Sequence, residues 1–123
     1  MLNKIPFTLF GNDDEIYFNN ARIMQLEKAM DKSVITLIKE PLSLSFVMIG
    51  LQIGLMHTYK PSKVAEHINR LFDEDDINLV DLAKPLAAAI VATGILGADL
   101  RDETIKNAVR TEKAKPSEAS KNG

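Results

Sequence analysis

Short apolar runs separated by turn residues open the chain. Residues 5–10 (IPFTLF) are mostly apolar, residues 11–14 (GNDD) favour a tight turn, and residues 15–18 (EIYF) are apolar again. This pattern predicts a β-hairpin, with Pro6 at a strand start or an exposed edge because proline cannot donate to a sheet. Since an isolated hairpin is only marginally stable, we expect it to pack on helices or pair with another chain.

A helical periodicity follows the hairpin. Asn19 or Asn20 can cap this helix, because a short polar side chain accepts hydrogen bonds from free amides at a helix start. Residues 31–33 (DKS) predict a break, after which Ser33 caps a short helix that Pro41 ends, since proline disfavours helical geometry in the preceding residue. The apolar positions recur at the spacing of one helix face: Ile23, Leu26 and Met30.

The most apolar helix is predicted at about residues 43–58, and it carries two apolar stripes. A helix of this kind is buried on most sides, and Gly50 and Gly54 leave room for a close neighbour. One stripe, assigned to the core, is Leu44, Val47, Leu51 and Leu55. The other stripe is Phe46, Ile49, Ile53 and Met56.

A membrane span is the alternative for this apolar segment. Residues 41–59 contain no Asp, Glu, Lys or Arg, and a bilayer needs about 20 apolar residues. However, polar residues interrupt the segment and Pro41 opens it. We therefore favour a helix buried in a soluble domain and expect no membrane partner.

Two more helices are expected before residue 100. Ser62 can cap a helix over residues 63–72, and the acidic residues 73–76 (DEDD) end it. Asn78 begins the last helix, which Pro85 should kink or delay. The predicted core is Leu44, Val47, Leu51, Ile68, Leu71, Leu86 and Ile90.

These elements predict a mainly α (α+β) fold, a small helical bundle with an N-terminal β-hairpin. With 123 residues the chain is long enough for one core and too short for two, so residues 1–100 are assigned to one domain. Residues 101–123 form a polar C-terminal tail. Residues 112–123 are expected to be disordered because they cannot bury enough apolar surface, while 101–111 can extend as a frayed helix.

Composition narrows the function classes. The formal net charge of −2 offers no basic footprint for nucleic acid, so no nucleic-acid partner is expected. The absence of cysteine excludes a disulfide scaffold and a thiolate metal site, and it favours an intracellular location. Neither a signal peptide nor an internal repeat is visible.

No constellation of residues indicates catalysis. His57 and His67 are ten residues apart, and neither belongs to a zinc-binding motif. Residues 73–76 lack the glycine and the spaced ligands of a calcium loop, so a plain acidic loop is favoured. The serines stand in no nucleophile motif. We expect a protein that is not an enzyme and has no catalytic residue, cofactor or metal.

The order of elements resembles that of the tail assembly chaperones of long-tailed bacteriophages. The resemblance covers about residues 5–97 and is a diffuse pattern rather than an invariant motif. The segments that carry it are the hairpin leading into residues 20–33 (NARIMQLEKAMDKS), the apolar helix ending in 54–58 (GLMHT), the helix start at 61–68 (PSKVAEHI), the acidic loop 73–76 and the closing segment 93–97 (TGILG).

The resemblance implies a holding chaperone rather than an enzyme. Members of this family are thought to coat the tape measure protein, a long helical chain with hydrophobic stretches, to self-associate, and to help recruit tail tube protein. The expected partners are therefore the tape measure protein, the tail tube protein and further copies of the chain. The expected location is the host cytoplasm, with no protein left in the mature virion.

A holding chaperone needs apolar surface that a partner helix can reach. We predict that the second stripe of the apolar helix, opposite the assigned core stripe, is this surface; burial of the same residues inside the monomer is the alternative. A second candidate contact is the unpaired hairpin edge, since strand edges invite pairing. The candidate binding residues are Phe46, Ile49, Ile53 and Met56 on the helix, and Phe7 and Leu9 on the hairpin.

Two other functions remain open. A structural virion or head–tail connector protein would share the small helical domain and would be found in finished particles. A small helical DNA-binding regulator would bind DNA in a salt-dependent manner. A very long helical reading frame directly downstream of the gene would favour the chaperone.

Deletion of residues 112–123 is predicted to leave folding intact, because this segment has no apolar anchors. The truncated and full-length proteins should have the same melting temperature in a thermal unfolding experiment. A clear drop in the truncated protein would contradict the prediction.

Overall fold

The chain folds as an N-terminal hairpin followed by helices, which confirms the predicted mainly α (α+β) class. The structure, a computed structural model, describes residues 4–97 and 99–101. Residues 99–101 are helical, and the predictions for residues 102–123, including disorder of 112–123, lie outside the described residues. The elements before them are β1 (Lys4–Phe7), β2 (Asp14–Tyr17), α1 (Asn20–Met30), α2 (Val34–Lys39), α3 (Leu44–Gly54), α4 (Pro61–Glu74) and α5 (Leu79–Val91).

The hairpin packs one face on the helices. β1 and β2 are antiparallel, with Ile5 opposite Ile16 and Pro6 opposite Glu15. Side chains alternate between the two faces of a strand, and the inward face is apolar apart from Asp14: Ile5 and Ile16 are buried. Both strands contact α5. A hairpin that is marginal alone is thus stabilised by a helix.

Most helix starts are capped as the sequence predicts. The Asn19 side chain, rather than that of Asn20, accepts a hydrogen bond from the backbone amide of Arg22 at the start of α1. Ser33 caps α2, and Asn78 forms a reciprocal capping box with Asp81 at the start of α5. Because each cap satisfies amides that a helix start leaves free, these local signals define the element boundaries.

One prediction about a helix start is wrong, and for Pro85 the delayed start is ruled out while the kink stays a prediction. The helix α4 begins at Pro61 and is preceded by Lys60, so Ser62 lies inside the helix and does not cap it. Proline suits the first helical position, where its missing N–H would be unpaired anyway. Pro85 does not delay α5, which begins at Leu79 and runs through the proline.

The apolar helix α3 lies at the centre of the fold and contacts α1, α4 and α5 as well as β2. Gly50 and Gly54 make these contacts close. A Cβ atom at Gly50 would lie 2.6 Å from Cδ2 of Leu86 on α5, and one at Gly54 would lie 2.7 Å from Cγ2 of Ile16 on β2. The predicted close neighbours are therefore apolar side chains. None of the helices formed by residues 4–97 and 99–101 is long and apolar enough to span a bilayer.

The predicted core is buried with one exception. Val47, Leu51, Ile68, Leu71, Leu86 and Ile90 are buried, but Leu44 is 56% exposed. The buried face of α3 is Phe46, Val47, Gly50, Leu51, Ile53 and Gly54. At 100° per residue, Leu44 in the first turn lies away from the middle of this face. The assignment of Leu44 to the core is therefore wrong.

Leu51→Ala is predicted to lower the free energy of unfolding by about 2–5 kcal/mol, because Leu51 is fully buried in α3 and its loss leaves a cavity. Leu44→Ala on the same helix is the matched control and should change it by less than about 0.5 kcal/mol, as exposed positions do. Urea unfolding of the two variants measures both values. Equal losses would show that the burial assigned to α3 is incorrect.

Candidate functional site

The predicted binding face on α3 is not exposed as one surface. Phe46 is 0% exposed and Ile53 is 6% exposed, because both belong to the face that packs in the core. Ile49 is partly buried against the core, and Met56, beyond the end of α3, is 41% exposed. The prediction that these four residues form an exposed face is therefore wrong for Phe46 and Ile53. The alternative, burial inside the monomer, is the correct one for these two residues.

The hairpin candidates are also turned inward. Phe7 is 2% exposed and meets the ring of Phe10 edge to face, with 4.9 Å between ring centroids. Leu9 is partly buried against the core. The side chains of Phe7 and Leu9 therefore stabilise the hairpin on the helices, while pairing of a partner strand with the backbone edge beside them stays a prediction.

The exposed apolar side chains of the α3 region lie elsewhere. Leu42, just before α3, is 58% exposed, and Leu44 is 56% exposed. Met48 lies one turn after Leu44, and Ile49 is the next residue; both are only partly buried. We call Leu42, Leu44, Met48 and Ile49 the α3 outer face.

Two polar residues mark the solvent side of α3 in the sequence. Ser45 and Gln52 are seven residues apart, so they lie on the same side of the helix. Ser45 is exposed, and Gln52 is partly exposed and donates to the backbone oxygen of Pro61. These polar positions were the signal that could have identified the solvent side of α3.

A polar junction joins the hairpin to α1 and to the end of α3. Nη1 of Arg22 lies 3.0 Å from the backbone oxygen of Tyr17, 3.5 Å from that of Ile53 and 3.0 Å from Nδ1 of His57. Nε2 of His57 lies 3.0 Å from the backbone oxygen of Glu15. The guanidinium also stands over the Tyr17 ring, 5.0 Å from its centroid. We call this the Arg22–His57 junction.

The Arg22–His57 junction requires a neutral imidazole. Arginine only donates, so Nδ1 of His57 must accept from Arg22, while Nε2–H donates to the Glu15 carbonyl. Burial, and then the positive charge of Arg22, lower the pKa of His57 below its ordinary value of 6.5. Burial also lowers the pKa of Arg22. The junction thus favours the neutral, Nε2-protonated histidine.

A second polar junction fixes the hairpin turn to the segment before α4. The Tyr59 hydroxyl donates to Oδ2 of Asp14 at 2.6 Å and accepts from Nδ2 of Asn12 at 2.9 Å. Burial and the hydrogen bond to Asp14 raise the pKa of Tyr59. Asp14 is a buried polar residue at 9% exposure, and a buried carboxylate needs such a donor.

Aromatic and charged groups of α4 complete this second junction. His67 stacks on Phe10, with ring centroids 4.6 Å apart and 17° between the planes. Nη2 of Arg70 lies 3.0 Å from Nδ1 of His67, and Nη1 of Arg70 lies 3.5 Å from Oδ2 of Asp75. These residues form a structural support for the hairpin. Among residues 4–97 and 99–101, no group of three histidine or acidic side chains could hold a metal ion.

Tyr59→Phe is predicted to lower the free energy of unfolding by about 1–3 kcal/mol, because it removes the hydroxyl that donates to the buried Asp14 carboxylate. Tyr17→Phe is the matched control. The Tyr17 contacts given above use its backbone oxygen and its ring, so this change should cost less than about 0.5 kcal/mol. Chemical denaturation at pH 7 compares the two variants, and equal stabilities would contradict a stabilising role of the Tyr59–Asp14 bond.

Comparison with known proteins finds no relative of this chain. No protein-family model matches it, and no significant match occurs among the curated proteins or the solved structures. A function must therefore be argued from the sequence and the structure of the chain itself.

Proposed function

We propose that this protein is a phage tail assembly chaperone that binds the tape measure protein and keeps it soluble. In this proposal it also self-associates and helps to recruit tail tube subunits in the host cytoplasm, and it is absent from the mature virion. The resemblance in the order of elements, from the hairpin to the segment that closes at residue 97, supports the proposal. So does the apolar surface that α3 presents to solvent.

The α3 outer face is the observation that carries the proposal. An exposed leucine is ordinary by itself, since apolar atoms make up much of any protein surface. Here, however, Leu42 and Leu44 are each more than half exposed. Met48 and Ile49, further along the helix, are only partly buried against the core. Grouped apolar residues of this kind are typical of interaction sites.

The chemistry of the α3 outer face suits a helical partner with apolar residues. Amphipathic helices bind by laying an apolar face on an apolar groove or surface, with contacts spaced one turn apart. Leu44 and Met48 have this spacing. The flexible thioether of methionine adapts to partners of varied shape, as a chaperone of a long chain with many different helices requires.

The test is co-expression with the tape measure protein that this proposal expects to be encoded directly downstream of the gene. Wild-type protein should keep that partner in the soluble fraction. Leu42→Asp combined with Leu44→Asp should lose this protection but fold normally, because both side chains are exposed. Val80→Asp is the matched control: Val80 is 38% exposed on α5, and an acidic residue in the first turn of a helix is tolerated.

The outcomes distinguish the surface from the function. If the folded double variant protects the partner as well as wild type, the α3 outer face is not the binding surface. If wild-type protein neither binds the partner nor keeps it soluble, the chaperone function itself is wrong. Detection of the protein in purified virions would instead support a structural role.

A further inference from the structure

The part of the chain that the structure describes contains two arginine–histidine pairs, of which only one has a carboxylate beside its arginine. In each pair a guanidinium nitrogen lies 3.0 Å from Nδ1 of the histidine: Arg22 with His57, and Arg70 with His67. Arg70 also has a carboxylate partner, Asp75, at 3.5 Å. Within the described ranges, Arg22 contacts only backbone carbonyls besides His57 and the Tyr17 ring, and no carboxylate forms an ion pair with it. The first pair therefore lacks the anion that the second pair has.

The remaining donors of Arg22 suit an anion. Its hydrogen bonds within residues 4–97 and 99–101 all use Nη1, which leaves Nε–H and Nη2–H as a fork. Two parallel N–H groups of a guanidinium match the two oxygens of a carboxylate or phosphate. Arg22 is only partly buried, so part of its side chain is open to solvent.

A second cation lies on the same side of the hairpin. Lys4 is directly opposite Tyr17 in the strand register, and cross-strand partners project from the same face of a sheet. The Tyr17 ring lies under the Arg22 guanidinium, so Lys4 borders the Arg22–His57 junction. Lys4 is exposed and forms no salt bridge with any acidic residue that the structure describes.

We propose that Arg22, Lys4 and His57 form a binding site for an oxyanion, a carboxylate or phosphate group carried by a ligand from outside this fold. Arg22 supplies the fork of donors, Lys4 adds long-range attraction, and His57 adds a positive charge when it is protonated. The site does not depend on the chaperone function and would remain if that function were wrong.

Anion binding at this site is coupled to the protonation of His57. The charged groups that face His57 are Arg22 from α1, Lys4 from β1 and Glu15 from β2; the two cations lower its pKa and the Glu15 carboxylate raises it. A bound anion offsets the cations, so it raises the pKa of His57. By linkage, the anion binds more tightly as the pH falls through the pKa that His57 has with the anion bound.

The experiment is an NMR titration of the full chain with inorganic phosphate and, separately, with acetate, at constant ionic strength in sodium chloride. The imidazole signals of His57 report the site, and those of His67 serve as an internal reference. We expect a saturable shift at His57 and an increase of its pKa with bound anion. Arg22→Gln should weaken binding roughly tenfold or more, as expected for loss of a charged hydrogen-bonding partner.

Arg70→Gln is the matched control, because it makes the same substitution in the arginine–histidine pair that already has a carboxylate partner. This variant should bind the anion as tightly as wild-type protein does. Lys4→Gln, at an exposed position, should fold and bind the anion several-fold more weakly, so it tests the site even if Arg22→Gln does not fold.

Binding of both probes supports a carboxylate-bearing ligand, and binding of phosphate alone supports a phosphoryl group. No saturable shift at His57, equal losses in Arg22→Gln and Arg70→Gln, or unchanged binding in Lys4→Gln would overturn the proposal.

Discussion

The close packing around Gly50 and Gly54 of α3 constrains the rest of the fold. Cβ atoms at these positions would lie 2.6 Å and 2.7 Å from side-chain atoms of α5 and β2, closer than carbon atoms approach without displacement. Hydrogen at both positions lets a helix and a strand approach α3 closely. The rotation of α3 is thereby fixed, and the helix side away from the glycines, with Ser45 and Met48, faces outward.

The position of α3 also explains how the hairpin is held. The chain leaves α3 at Gly54, and the next residues bring His57 and Tyr59 to two adjacent residues of β2: His57 to the Glu15 carbonyl and Tyr59 to the Asp14 carboxylate. The apolar face of the hairpin packs on α5, while these two side chains secure its polar atoms. Burial and hydrogen bonding therefore act on the same small element, which would be only marginally stable alone.

The sequence predicts the fold well where the signal is local. Turn residues, caps and apolar spacing locate the hairpin and the helices, because each depends on neighbouring residues. The exposed side of α3 is not predicted. Apolar residues lie on almost every side of this helix, so the periodicity of the sequence does not identify the buried side. As a consequence, Leu44 was assigned to the core and Phe46 to the surface, and both assignments are wrong.

Arg22 and His57 are 35 residues apart, and Asp14 and Tyr59 are 45 apart. A single sequence does not indicate which distant polar groups meet, so both junctions were missed.

The two proposed binding surfaces lie toward opposite ends of α3. The α3 outer face begins at Leu42 and Leu44, before and at the first residue of the helix, whereas His57 lies three residues beyond its last residue, Gly54. Eleven helical residues span roughly 16 Å, which is longer than the Debye length of about 8 Å at physiological salt. A charge change at Arg22 should therefore have little electrostatic effect at Leu44, and an apolar partner on the outer face need not displace an anion near the hairpin. Separate surfaces for apolar and for anionic groups allow a single partner, with both kinds of group on one chain, to be recognised at two points.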